Sequence, residues 1–363
     1  MKVLVTGDDG YIGTVLSRFI RDAGHDVAGL DAGLFEGCSL GPEPRTGASS
    51  RMDVRDVRLD DLRGFDAVIH LAAISNDPLG HLDPEVTYEI NHIATVRLAR
   101  MAKAAGVSRF VFSSSCSLYG AASPDDVLPE TADFNPVTPY GESKAFAERD
   151  LAGLADDRFS PVFLRNATAY GYSPRLRLDL VVNDLVATAF AAREVVIKSD
   201  GTPWRPLVHV EDVSRAALAA VEAPRDAVYN EAFNIGVTDE NYQVRDIAEI
   251  VADAVPGSRI RYADGGGADP RSYRVDFSKA SAQLPGFQTR WTVADGVREL
   301  LDVFQTYGLS QADMESPRFT RLSRIRALQG SGRLASDLRW FTFDGDAPSN
   351  AARRRAEQAP VSP

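Results

Sequence analysis

Met1-Lys2-Val3-Leu4-Val5-Thr6-Gly7-Asp8-Asp9-Gly10-Tyr11-Ile12-Gly13 opens the chain as a short apolar strand running directly into a glycine loop. Apolar residues recur at helical spacing over positions 11–23, so the loop stands between a strand and a helix. Gly7, Gly10 and Gly13 have Gly-x-x-Gly-x-x-Gly spacing. Glycine permits the tight turn and lets backbone amides approach a diphosphate, while the positive end of the helix favours its charge. Such a spacing is a weak signal alone, but between a strand and a helix it points strongly to a bound dinucleotide.

Outward from this stretch, residues 25–31 read as a second strand ending in an acid, and residues 67–72 as a buried strand. A helix is expected over about 84–105, a strand over 108–113, a helix carrying Tyr140, and a strand over 161–165. Strands alternating with helices predict parallel βαβ units in an α/β, doubly wound parallel sheet of the Rossmann kind. Ligands of such sheets bind beyond the carboxyl ends of the strands, where the glycine loop, Asp31 and the serines after Phe112 all fall. Residues 1–165 are expected to form the dinucleotide-binding domain, with the chain returning to it at about 207–236. Residues 166–206 and 237–344 are expected to form a smaller C-terminal substrate-binding lobe, with 201–206 as a loop. Residues 345–363, with Arg353-Arg354-Arg355 and a Pro-rich end, read as a disordered tail.

Asp31 ends the second strand, where a carboxylate can accept hydrogen bonds from the adenosine ribose hydroxyls and repel a 2′-phosphate. That selects NAD over NADP; a loop-capping aspartate is the alternative. Asp53 and Val54, after the third strand, are candidates for the adenine contact, with a surface turn as the alternative.

Pro139-Tyr140-Gly141-Glu142-Ser143-Lys144 places Tyr140 and Lys144 four residues apart, one turn along the same helix face. Ser113-Ser114-Ser115 ends the strand before it. A cation beside a phenol favours phenolate, so this pairing predicts a Tyr140 pKa low enough for a base near neutral pH. The pair by itself would pass for an exposed helix pair. With the glycine loop and the serines in this order, it reads as a redox site.

The 363 residues suffice for one large core or two smaller ones. No apolar run approaches the ~20 residues of a membrane helix, and the N-terminus reads as a strand rather than a signal peptide. A cytoplasmic, soluble protein is expected. The net charge of −11 argues against nucleic-acid binding and confines any phosphate site to loop amides and a few arginines. Two cysteines, Cys38 and Cys116, form neither a disulfide framework nor a metal site.

The ordered motifs resemble the extended short-chain dehydrogenase/reductase superfamily, in particular its NAD-dependent nucleotide-sugar epimerases and dehydratases. They are the glycine loop, Asp31, Asp53-Val54, His70-Leu71-Ala72-Ala73, Ser115 to Gly120, Tyr140-x-x-x-Lys144, and Arg205 to Asp212, spread over about residues 1–305. The resemblance implies Tyr140 as the base, Lys144 on the nicotinamide ribose, and Ser115 hydrogen-bonding the reacting hydroxyl. It implies that Tyr11, Ile12, Leu71, Ala72 and Ala73 line the cofactor, that Asn91 is structural, and that the protein is a homodimer formed by the two helices flanking the active-site strand. On the substrate side it implies Asn183 and Arg205 as contacts to a nucleotide diphosphate. Thr168 stands where the UDP-galactose 4-epimerases carry Asn. Gly265-Gly266-Gly267 occupies the stretch of their later diphosphate arginine, for which Arg271 can substitute.

Ser115-Cys116-Ser117-Leu118-Tyr119-Gly120 narrows the chemistry. The dehydratases this chain resembles carry Asp-Glu at the positions of Cys116 and Ser117, and decarboxylating relatives keep the Glu. Cys116 reads as a small buried residue rather than an acid or base. The remaining set, Ser115, Tyr140 and Lys144, suits reversible oxidation of a secondary alcohol. The expectation is a nucleotide-sugar epimerase, with C4 favoured. A dehydrogenase or ketoreductase of a sugar or polyol-like molecule is the alternative, and a non-catalytic NAD-sensing protein the alternative of another class.

Overall fold

The computed structural model describes residues 1–44, 47–123, 126–263 and 271–341. Gly265-Gly266-Gly267 and the expected tail lie outside the described residues. Strands β1 (Lys2–Thr6), β2 (Asp26–Asp31), β3 (Ala48–Arg51), β4 (Ala67–His70), β5 (Arg109–Ser115), β6 (Ser160–Asn166) and β7 (Glu231–Ile235) form one sheet. Its order is β7-β6-β5-β4-β1-β2-β3, with every neighbouring pair parallel. A parallel sheet is covered on both faces, which is why its central strands are nearly unbroken apolar runs. Val3, Val5, Ile69 and Val111 pack on one face with helices Tyr11–Asp22 and Val210–Glu222. Leu4, Val68, Phe110 and Phe112 pack on the other with Thr95–Ala105 and Pro139–Ala152. The strand order reverses between β1 and β4, which opens a crevice at their carboxyl ends.

The smaller lobe has its own core, in which Leu185, Val195, Ile247, Val297 and Phe304 meet. Helices Val181–Ala192, Val244–Ala254 and Val293–Tyr307 surround a three-stranded sheet of Thr168–Tyr170, Trp204–His209 and Asn241–Gln243. This revises the expected loop at 201–206, because Trp204, Arg205 and Pro206 pair antiparallel with Gln243, Tyr242 and Asn241. The turn signal of Gly201 to Pro203 ends where the buried run through Leu207 and Val208 begins. After helix Val210–Glu222 the chain rejoins the main sheet at β7.

A second revision concerns the end of the chain. Residues 321–341 do not join the lobe: Ile325, Leu328, Leu334 and Leu338 pack in the same cluster as Leu4, Leu30 and Val54 of the dinucleotide domain. Trp340 donates its indole N–H to the Ala32 carbonyl at 2.7 Å. The apolar face of helix Arg321–Gly330 finds uncovered surface beside β2, a pairing that sequence spacing does not encode.

Candidate active site

The glycine loop forms one wall of a cavity at the crevice between β1 and β4. Gly7 has φ of +75°, and a Cβ there would lie 2.8 Å from the Ala72 nitrogen. A Cβ on Gly13 would lie 2.1 Å from the Gly7 carbonyl oxygen. Both glycines are therefore fixed by close backbone approach, and the first turn of Tyr11–Asp22, which has no side-chain cap, lines the cavity. Gly10, Tyr11, Ile12, Leu71, Ala72 and Ala73 line the same space, and Asp31, Asp53 and Val54 line its far end. Asp31 accepts from the Gly33 and Asp9 amides at 2.7 and 3.3 Å, and burial pushes its pKa up. Asp53 also caps the turn Val54–Asp56 and pairs with Arg55 at 2.7 Å, so the surface-turn role and the cavity position coexist. An amide-lined cradle too tight for any Cβ, with an acid beyond it, fits a dinucleotide.

Asp31→Ala is expected to narrow the preference for NAD over NADP, which binding titrations of both cofactors on both proteins would measure. Equal or tighter NADP binding by the unmodified protein would overturn the role given to Asp31.

An adjoining cavity of about 610 Å³ shares Ile12, Leu71, Ala73, Ser75 and Arg177 with the first. That volume lies in the range of small-molecule sites. Thr138 caps helix Pro139–Ala152 through the Gly141 amide at 3.1 Å, and Pro139 occupies its first turn. The helix thereby brings Tyr140 and Lys144 to the cavity wall, opposite Ser115 at the end of β5. The Tyr140 hydroxyl lies near enough to Ser115 for that side chain to oppose the rise of its pKa. Ser115 Oγ in turn lies 3.1 Å from Ser117 Oγ and accepts from the Ser117 amide at 3.1 Å. Lys144 Nζ donates to the Ser113 carbonyl at 2.7 Å and sits 5.9 Å from the centre of the Tyr140 ring. Asn91, in the π-helical turn Glu89–Ala94, is structural: it bonds both polar groups of the Ile74 backbone and Ser143 Oγ.

The expected lowering of the Tyr140 pKa does not arise from the protein atoms. Burial pushes Tyr140 up to about 12. Burial also pushes Lys144 down to about 7, so its charge is itself expensive in this site. At Tyr140, desolvation outweighs the opposing influence of Ser115 and of the Arg177 charge. His70, at the end of β4, is buried between Thr6 Oγ1 at 2.6 Å and Thr95 Oγ1 at 2.8 Å. Burial holds it neutral, with a pKa of about 3.

Of the expected substrate contacts, Ser115, Thr168, Arg205 and Arg271 line the larger cavity. Asn183 does not. It is fully buried, and its amide accepts from the Gly171 N–H at 3.0 Å and donates to the carbonyls of Gly171 and Arg177. Val181 and Asp184 of the same turn line the cavity, while Asn183 ties down the loop that precedes the helix. That loop carries a residue the sequence reading passed over. Arg177 is buried, pairs with Asp179 at 2.9 Å and lines both cavities. Its signal was the alternation Arg175-Leu176-Arg177-Leu178-Asp179, in which Leu176 and Leu178 anchor a loop bearing inward charges. Asp77, also unforeseen, pairs with Arg271 at 2.6 Å and accepts from Thr138 Oγ1 at 2.5 Å.

Cys116 is buried, donates to the Arg165 carbonyl at 3.1 Å, and is pushed well above the usual thiol range by burial. It does not line the cavity, whereas Ser117 does. Glu142 is engaged by the Tyr88 hydroxyl. Among the described residues, the carboxylates that line the larger cavity are Asp77, Asp179 and Asp184, each held by a cation: Arg271, Arg177 and Lys198.

Residues 3–236 match the model of the NAD-dependent epimerase/dehydratase family, so the chain belongs to that family. A UDP-glucose 4-epimerase of Lactobacillus helveticus is 33% identical over 310 residues, covering 78% of this chain and 91% of its own. Among solved structures, MoeE5 in complex with UDP-glucuronic acid and NAD is 31% identical, with a TM-score of 0.72 over 84% of this chain and 99% of its own. The UDP-glucuronic acid 4-epimerase of Bacillus cereus, in complex with UDP-glucuronic acid and NAD, is 26% identical, with a TM-score of 0.72 over 84% and 99%. Among the described residues, no helix is long and apolar enough to cross a membrane.

Proposed function

We propose that this protein is an NAD-dependent nucleotide-sugar 4-epimerase acting on a UDP-sugar. The observation that carries the reading is the meeting of Ser115, Tyr140 and Lys144 on the wall of the larger cavity, which adjoins the dinucleotide cavity, beside a strand end without an acid. Relatives that bind UDP-sugars support the nucleotide. The bound NAD supplies a hydride acceptor and donor, and a positive charge that favours phenolate at Tyr140. Tyr140 Oη accepts the proton of the C4 hydroxyl, and Ser115 Oγ holds the same oxygen. Lys144 anchors the nicotinamide ribose. Once the 4-keto sugar has turned over in the wide cavity, Tyr140 returns the proton to the C4 oxygen while the opposite face of C4 takes back the hydride. Arg205 and Arg271 hold the diphosphate, and Thr168 faces the sugar.

Elimination needs one group to take a proton from carbon and another to protonate the leaving hydroxyl. Among the described residues, Cys116, Ser117 and the paired carboxylates provide neither. Incubation of the NAD-loaded protein with UDP-glucose and UDP-glucuronic acid is expected to give products of unchanged mass inverted at C4. Loss of water or carbon dioxide would overturn the reading, and accumulating NADH would identify a dehydrogenase instead.

The larger cavity and its lobe hold the sugar nucleotide, and the doubly wound domain holds the cofactor. A cytoplasmic homodimer is part of the proposal. Ile93 and Phe146 are large apolar side chains exposed at 60% and 38% near the start of the Thr95–Ala105 helix and on Pro139–Ala152, where a second copy would cover them. Light scattering is expected to give twice the chain mass, and Ile93→Glu to reduce it; a monomer at high concentration would reject this arrangement.

A further inference from the structure

The cofactor cavity has a wall that the motifs do not include. Arg321 starts the helix Arg321–Gly330, is 2% exposed, and lines the cavity together with Gly7, Gly13 and Asp31. Its guanidinium lies 3.9 Å from the centre of the Phe35 ring, and its Nη2 donates to the Arg175 carbonyl at 3.4 Å. Its Nη1 is buried and has no hydrogen-bond partner among the described residues. A buried donor left unmade costs free energy, more so on a charged group. Burial, and then the neighbouring Arg177, lower the Arg321 pKa to about 10, against the opposing charges of Asp179 and Asp31.

The segment that follows is fastened to the parts of the domain that surround the adenosine end. Arg324 donates to the carbonyls of Leu34 and Glu36, Trp340 to that of Ala32, and Arg339 pairs with Asp56 at 2.6 Å. Leu338 lines the cavity itself. MoeE5, matched over 99% of its own length, covers 84% of this chain, so part of this chain has no counterpart there. The motif resemblance ends near residue 305, before Arg321.

We propose that residues 321–341 are a cofactor strap, in which Arg321 Nη1 donates to an anionic oxygen of the dinucleotide's diphosphate and the segment behind it slows NAD release. The ribose hydroxyls are neutral and face Asp31. The diphosphate is the anion of the ligand, and it must cross the cavity by the glycine loop that Arg321 and Arg177 flank. The inference rests on the NAD site alone and is independent of the sugar.

The test is calorimetric titration of the full, cofactor-stripped chain with NAD, ADP-ribose, ADP and adenosine, for the unmodified protein and Arg321→Gln. A lost charge-assisted bond is expected to weaken NAD, ADP-ribose and ADP by about 10- to 100-fold and leave adenosine unchanged. Unchanged NAD affinity, or an equal loss for adenosine, overturns the diphosphate contact. Stopped-flow release of NAD from Trp340→Ala is the second measurement, and it decides if Arg321→Gln fails to fold. Release is expected to accelerate about tenfold or more; an unchanged rate overturns the strap. Failure of the unmodified protein to bind NAD would remove the cofactor assignment and the strap together, whereas loss of either variant effect alone leaves the cofactor assignment standing.

Discussion

Tyr140→Phe is expected to lower turnover by about 10²- to 10⁴-fold while NAD remains bound, the range set by loss of a general base. The ring contributes packing and the hydroxyl contributes chemistry. Tyr140 is held by the helix Pro139–Ala152, and its hydroxyl lies near Ser115. Phenylalanine keeps the helix position and the ring volume, so the cofactor cavity, which Tyr140 does not line, should keep its shape. The buried phenol, near 12 without cofactor, also makes the loss informative. If Tyr140 is the base, the positive charge of bound NAD must bring it down, and removal of the hydroxyl leaves no group of suitable pKa at that oxygen. Turnover within tenfold of the unmodified enzyme, measured on UDP-glucose or on whichever UDP-sugar proves active, would remove Tyr140 from the mechanism.

Arg165→Met is expected to destabilise the protein by about 3–5 kcal/mol, the cost of breaking a buried ion pair from one side. Arg165, on β6, and Glu148, on the helix that carries Tyr140, have side chains only 7% and 5% exposed. Arg165 reaches both Glu148 oxygens, at 3.1, 3.1 and 2.8 Å. It also donates to the Tyr119 hydroxyl at 3.0 Å and to the Glu130 carbonyl at 2.8 Å. Methionine fills much of the space and leaves Glu148 without its cation. Replacing both partners with apolar residues, as in Arg165→Met with Glu148→Leu, should recover much of the loss, since two desolvated charges then disappear together. Denaturant unfolding of the cofactor-free protein would measure both variants. A single variant within about 1 kcal/mol of the unmodified protein would show that the pair contributes far less than its burial implies.

The parts of the site legible in the sequence are those governed by local spacing. Asp31 is in the cavity because the strand it ends lies beside β1, and sequence order within βαβ units fixes that neighbour. Asn183 shows the limit of transfer from a motif. A helix start that can touch a ligand here turns its asparagine onto Gly171 and Arg177 instead, and which way it turns depends on how the preceding loop packs. Trp204 to Pro206 were hidden for a similar reason, since a lone strand carries no mark of the partner that will hydrogen-bond it.

By itself the sequence determined the strand-loop-helix cradle, because backbone approach as close as that of Gly13 to Gly7 admits only glycine. It likewise determined the Tyr140 and Lys144 pairing, because helical geometry puts i and i+4 on one face wherever the helix lies. Only the tertiary structure decided the charge state of that pair, since desolvation depends on everything packed around a group and reverses the shift that its neighbour in sequence suggests. It alone brought Arg177 between the two cavities, and Arg321 and Trp340 onto the loop after β2, with Trp340 and Ala32 bonded across 308 residues of chain. Contacts over such separations follow from which apolar surfaces remain uncovered once the sheet has formed, and no spacing in the sequence records that.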